Sequence, residues 1–159
     1  MRPLAVFQPT GDVAPDALLS EAETWLSEGA RRVGPGTWIL PLRLGPFTRS
    51  VRIEIGSAIS RGNGVWRSVR WEPVSEAGDP LPLERLLPRF AGEIGLVRTD
   101  LGSSLVLEGD YEVPLGVVGE AIDAFALKRA ARVTGTRLLG EIASRLGTAD
   151  AVRGACTGR

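Results

Sequence analysis

Histidine is absent from the 159-residue chain. Imidazole bases, histidine-containing triads and imidazole metal ligands are therefore excluded. Cysteine occurs once, at Cys156 in a Gly-containing C-terminal stretch, so no internal disulfide can form, and the residue reads as an inert tail position rather than a reactive thiol. Lysine also occurs once, as Lys128; every other basic side chain is an arginine, and these are scattered along the chain. No apolar run approaches the ~20 residues of a membrane span. The hydrophobic stretch at residues 4–7 is too short for a signal peptide, which makes the cytoplasm the expected location. Formal net charge is zero, with 19 basic and 19 acidic side chains. That balance argues against nucleic acid as a partner and supplies no polybasic membrane signal.

What is present is a hydrophobic fraction of 43%, enough for one core. The reading is a single domain over residues 1–146, with residues 147–159 as a flexible tail. Residues 4–7 predict a short first strand closed by Pro9 and Gly11. Pro15 suits the first turn of a helix, along which Leu18, Ala22, Trp25, Leu26 and Gly29 form a stripe ended by Gly34, Pro35 and Gly36. The period then switches to two. Trp38, Leu40, Leu42 and Leu44 share a face, and Pro41 requires an edge position or a bulge. Val51, Ile53 and Ile55 alternate with Ser50, Arg52 and Glu54. After the Gly62-Asn63-Gly64 turn, Val65, Arg67, Val69 and Trp71 share one face.

Residues 73–88 hold four prolines and read as a loop. Two further strands place Phe90, Gly92, Ile94 and Leu96 on one face and Leu105, Leu107, Gly109 and Tyr111 on another. A last helix presents Ile122, Phe125, Ala126 and Val133 beside Leu127, Ala131, Leu138 and Ile142, and runs to about Leu146 despite Gly135 and Gly140. Strand, helix, a run of antiparallel strands and a long helix is an α+β order, not βαβ alternation.

The stretch Leu105-Val106-Leu107-Glu108-Gly109-Asp110-Tyr111-Glu112-Val113-Pro114-Leu115-Gly116, followed by Gly119 and Asp123, resembles the last strand and closing helix of the SRPBCC (START-like, helix-grip) superfamily. Small members carry Gly-x-Tyr-x-Pro-Pro-Leu-Gly there; Val113 replaces the first proline. The resemblance spans residues 37–146. It implies a curved antiparallel sheet wrapped around the C-terminal helix, with a hydrophobic cavity between them. Members include lipid carriers, polyketide cyclases and proteins protecting producers from reactive metabolites, and fold alone does not choose among them.

Gly109, Gly116 and Gly119 match neither a dinucleotide fingerprint nor a P-loop, and the reading calls for no metal and no cofactor. The candidate ligand-binding set is Trp38, Leu40, Ile53, Arg67, Val69, Trp71, Phe90, Ile94, Leu107, Tyr111, Ile122 and Phe125. Each apolar member lies on the core side of its element. Arg67 stands out, because an inward guanidinium must meet a carboxylate, a ligand group or water; a bulge after Trp66 would turn it outward. Asp123 and Glu120, beside the start of the long helix, are candidates for an acid or base facing the cavity, but stabilisation of a carboxylate near a helix N-terminus is the favoured account. The leading expectation is binding of an apolar small molecule (lipid, polyketide or aromatic natural product). The alternatives are a polyketide cyclase or dehydratase, for which only Arg67, Tyr111 or a carboxylate remains to move protons, and a self-protection protein that sequesters a reactive metabolite or reacts in its place. The oligomeric state is not legible.

Overall fold

The computed structural model describes residues 2–26, 28–44, 47–74, 89–112 and 124–156, with side chains described except at 42–49, 124–127, 130 and 148–156. Its strands are β1 (Arg2–Gly11), β2 (Arg31–Gly34), β3 (Thr37–Leu44), β4 (Phe47–Arg61), β5 (Gly64–Pro73), β6 (Arg89–Thr99) and β7 (Gly102–Glu112). One helix follows, α1 (Ala124–Cys156). Two short 3-10 helices, Pro15–Leu19 and Ala22–Thr24, lie between β1 and β2. The strands form one antiparallel sheet in the order β1-β7-β6-β5-β4-β3-β2. The fold is α+β, with the helix packed on the sheet.

Alternation sets the sheet's two faces. On β4, Val51, Ile53 and Ile55 are buried while Arg52 and Glu54 are exposed, as expected of a sheet covered on one side. The β2–β3 turn needs Gly36, whose φ is +65° and whose missing Cβ would lie 2.9 Å from the Ile55 carbonyl oxygen. That closeness lets the Ile55 N–H donate to the Gly36 carbonyl at 2.8 Å.

Helix α1 lies mainly on β1 and β7 and also reaches β3 and the second 3-10 helix, while β5 and β6 meet the first 3-10 helix. β1 and β3 are five strand spacings apart, about 24 Å in a flat sheet. Helix α1, at 33 residues about 50 Å long, is long enough to lie across that distance. Ala131, Thr134, Leu138, Leu139, Ile142 and Leu146 form the buried stripe of α1, three or four residues apart. Gly135 completes the seat: a Cβ there would sit 3.2 Å from both Leu107 and Val6.

Five expectations change. The helix foreseen after Pro15 is two 3-10 pieces, although Leu18, Ala22, Trp25 and Leu26 are all buried. The carbonyls of Leu18, Leu19 and Ser20, which a continuing helix would use as acceptors, are taken by Arg67 instead. β1 continues past Pro9 to Gly11 with a register irregularity; it is an edge strand, where a missing N–H costs no ladder bond. Gly34 and Gly36 bracket a hairpin turn between β2 and β3, not a helix end. Val133 is 40% exposed, on the outer side of α1. The helix also runs to Cys156, so residues 147–156 are not the expected frayed tail. Pro41 occupies β3, second from the edge, but the β2 ladder pairs only with residues 37–39, and on that side Pro41 meets Gly29 rather than a strand partner. The loop expected at 75–88, the breaker at 114–119 and Ile122 lie outside the described residues.

Candidate functional site

Strand register turns separate sequence signals into one row. Trp38 on β3 pairs with Ile53 on β4, Ile53 with Trp71 on β5, Trp71 with Phe90 on β6, and Phe90 with Tyr111 on β7. All five are at most 4% exposed. The row therefore runs across five strands on the core face, with four of its five members aromatic. The rings of Trp71 and Phe90 are stacked, with centroids 4.2 Å apart and planes 16° from parallel. Phe90 leans over a depression made by Gly92 and Gly109, which are partners across β6 and β7. A Cβ on either would lie within 2.9 Å of the tip of that ring. Neither glycine was singled out as a lining residue, because a missing side chain leaves no apolar signal.

The row ends in two polar atoms. Trp38 Nε1 and Tyr111 Oη are both buried and, like the hydroxyls of Thr10, Ser103 and Thr134, have no hydrogen-bond partner among the described residues. An orphaned buried donor or acceptor costs about 1–3 kcal/mol. Their strands are four spacings apart, about 19 Å along a flat sheet.

Arg67 lies two pleat repeats from Trp71 along β5, on the same face. It pairs with Ile94, which pairs with Leu107, so three more of the expected site residues form a second row. A β-bulge does occur beside it, but on β4: Gly56 and Ser57 oppose Ser68 alone, so the phase of β5 is unbroken. Arg67 Nε donates to the Leu18 carbonyl at 2.9 Å, and its Nη2 donates to those of Leu19 at 3.2 Å and Ser20 at 3.1 Å. Its Nη1 donates to Gly56 at 3.4 Å, and the guanidinium also sits 5.9 Å from the Trp25 ring. Burial lowers its pKa from the ordinary arginine value, and the carboxylate of Glu21 opposes that shift. Among the described residues the guanidinium meets no carboxylate at bonding distance; it clamps the end of the first 3-10 helix to the sheet.

Leu40 and Val69, also expected at the site, are buried on this face. The side chains of Ile122 and Phe125 lie outside the described residues. Among the described residues, the buried polar or charged side chains are Ser103 and Thr134, so no carboxylate is enclosed. No group of three or more His, Cys, Asp or Glu is placed to hold a metal among those residues. An acid–base pair consequently does not form there: Tyr111 and Arg67 stand on different strands in different rows.

No family model matches the chain, and no curated protein matches it. Among solved structures, a crystal structure of a Mesorhizobium loti protein is similar, with 16% identity, 92% of this chain and 95% of that chain covered, and a TM-score of 0.47. No helix among the described residues is long and apolar enough to cross a membrane.

Proposed function

We propose that the protein binds a mostly apolar small molecule on the core face of the sheet, at the row from Trp38 to Tyr111. The observation that carries this is the pair of unpartnered buried polar atoms at the row's two ends. A pure packing core is indifferent to polar atoms or is harmed by them. A binding surface uses a few of them to orient an otherwise apolar guest. Ring stacking between Trp71 and Phe90 supplies a flat apolar floor between those ends. The sheet-and-helix arrangement is of the kind that the SRPBCC resemblance implies, and membership of that superfamily belongs to this proposal. Burying about 200 Å² of ligand at ~25 cal/mol/Å² is worth roughly 5 kcal/mol before association costs, so even with a hydrogen bond of about 1 kcal/mol the affinity falls between about 50 μM and 1 mM. A cyclase or dehydratase would need a positioned proton carrier beyond Tyr111, and no enclosed carboxylate provides one among the described residues.

The test is titration calorimetry with 1-naphthol and with palmitate, on the native chain and on Tyr111→Phe and Trp38→Phe. Binding of at least one probe, weakened about fivefold by at least one substitution, is the expected result. No heat from either probe at about 1 mM, or binding that both variants leave unchanged, would overturn the proposal.

A further inference from the structure

A second surface is dense in positive charge. Across residues 124–140 the chain holds Lys128, Arg129, Arg132 and Arg137 and no acidic side chain, which leaves the rest of the neutral chain with an acidic excess. All four lie on the outer side of α1 and are exposed. With Val133 and Thr136 they line a groove of about 550 Å³. That volume lies within the ~300–1,000 Å³ typical of small-molecule sites.

Helical spacing makes Arg132 the hub. Lys128 precedes it by four residues, Arg129 by three, and Thr136 follows by four, and such positions have Cβ atoms about 5–6 Å apart. Like charges at this spacing oppose the helix in which they sit. Elsewhere on the surface, cations pair off: Arg32 with Glu23 at 3.1 Å, Arg52 with Glu72 at 2.9 Å and Arg61 with Glu93 at 2.9 Å. The described acids approach none of Lys128, Arg129 and Arg132 closely enough to form such a pair. Three cations converging on one side of a single turn match the oxygens of one phosphate group, with planar guanidinium forks for two-point contact and the Thr136 hydroxyl as a neutral donor.

We infer that this groove on α1 is an anion site for a phosphate-bearing small molecule, with Arg132 at its centre and Lys128 and Arg129 as flanking cations. The scarcity of apolar side chains beside these cations favours a discrete polar ligand over a lipid surface. Val133 is its one large apolar side chain and is only 40% exposed, which is too little to insert into a bilayer. The inference is independent of the core-face ligand.

The experiment is a titration of the full chain with pyrophosphate at low ionic strength, followed by calorimetry and by amide shifts of α1, with sulfate as the comparison ion. Saturable binding is expected, stronger for pyrophosphate than for sulfate. Arg132→Gln should weaken it about tenfold, while Arg70→Gln, an exposed cation on β5, should not change it. Because residue 132 is exposed, Arg132→Gln should retain the native circular dichroism and thermal midpoint. Equal weak effects of both anions, or equal losses in both variants, would mean general screening and overturn the site. Sedimentation with phosphatidylglycerol vesicles without pyrophosphate binding would also overturn it, in favour of a membrane-surface role.

Discussion

Arg67, in the middle of the sheet, donates from Nε to the carbonyl of Leu18 at 2.9 Å, joining two residues 49 positions apart. That contact and the two to Leu19 and Ser20 explain why the segment after Pro15 turns in 3-10 pieces against β5 and β6. Arg67→Met keeps the apolar stem and removes the donors. It should cost about 2 kcal/mol, because the carbonyls at the end of the first 3-10 helix lose charge-assisted bonds. Arg67→Lys should recover less than half, since an ammonium cannot span Leu18, Leu19 and Ser20 as a planar fork does. Urea unfolding of the three proteins checks both expectations.

Gly109 and Gly140 make a matched pair for substitution by alanine. At Gly109 a Cβ meets the Phe90 ring at 2.9 Å and the Gly92 Cα at 2.5 Å; at Gly140 nothing lies within 4 Å. Gly109→Ala should therefore destabilise by about 2 kcal/mol or more through overpacking. Gly140→Ala should stabilise by about 0.5–1 kcal/mol through helix propensity and a less disordered unfolded chain. Thermal unfolding monitored by circular dichroism separates the two signs.

Tyr111→Phe removes a buried hydroxyl that bonds to nothing. Without ligand, the variant should be as stable as the native chain or up to about 1 kcal/mol more stable, because no buried oxygen is then left unpaired. A loss above 1 kcal/mol in urea unfolding would show that the hydroxyl is satisfied, and the ligand argument would lose one of its two anchors.

Arg61 lies over the ring of Trp66 at 4.4 Å and also meets Glu93 at 2.9 Å and Glu108 at 3.8 Å. This group sits on the outer face of the sheet, where Trp66 lies flat against Gly95. Arg61→Gln should cost about 0.5–1 kcal/mol, mostly from the cation–π contact, since exposed ion pairs contribute little. Repeating the measurement in about 1 M salt should change that difference by less than half, because salt screens the carboxylate pairs more than the ring contact.

The strands that cover a core were readable because burial on one face imposes a period of two. β4 and β5 announce themselves through Val51, Ile53, Ile55, Val69 and Trp71, all buried. β2 was invisible for the opposite reason: Arg31, Arg32 and Val33 are exposed, so nothing selects an alternating pattern. The stripe at Leu18, Ala22, Trp25 and Leu26 was seen correctly as buried but assigned to the wrong helix type, because spacing reports a face and cannot report an arginine far along the chain. Alternation likewise placed Trp38, Trp71, Phe90 and Tyr111 on the core side of their strands. Their alignment in a single row depended on turn lengths and on the extra residue at Gly56–Ser57, which phase within one strand does not encode. The cationic groove was missed because charges were weighed over the whole chain, where they cancel, and not over one face of one helix.

Among the described strands, β1 comes first in the chain yet is nearly the last able to find its place. Val6 pairs with Leu107, and β1 is also the main support of α1. While β2 to β6 can zip hairpin by hairpin, β1 must wait for β7, and loop closure over that separation is entropically slow. During synthesis its Leu4 and Val6 remain uncovered, and Pro3 and Pro9 on either side of them hinder the premature strand pairing that such a segment invites.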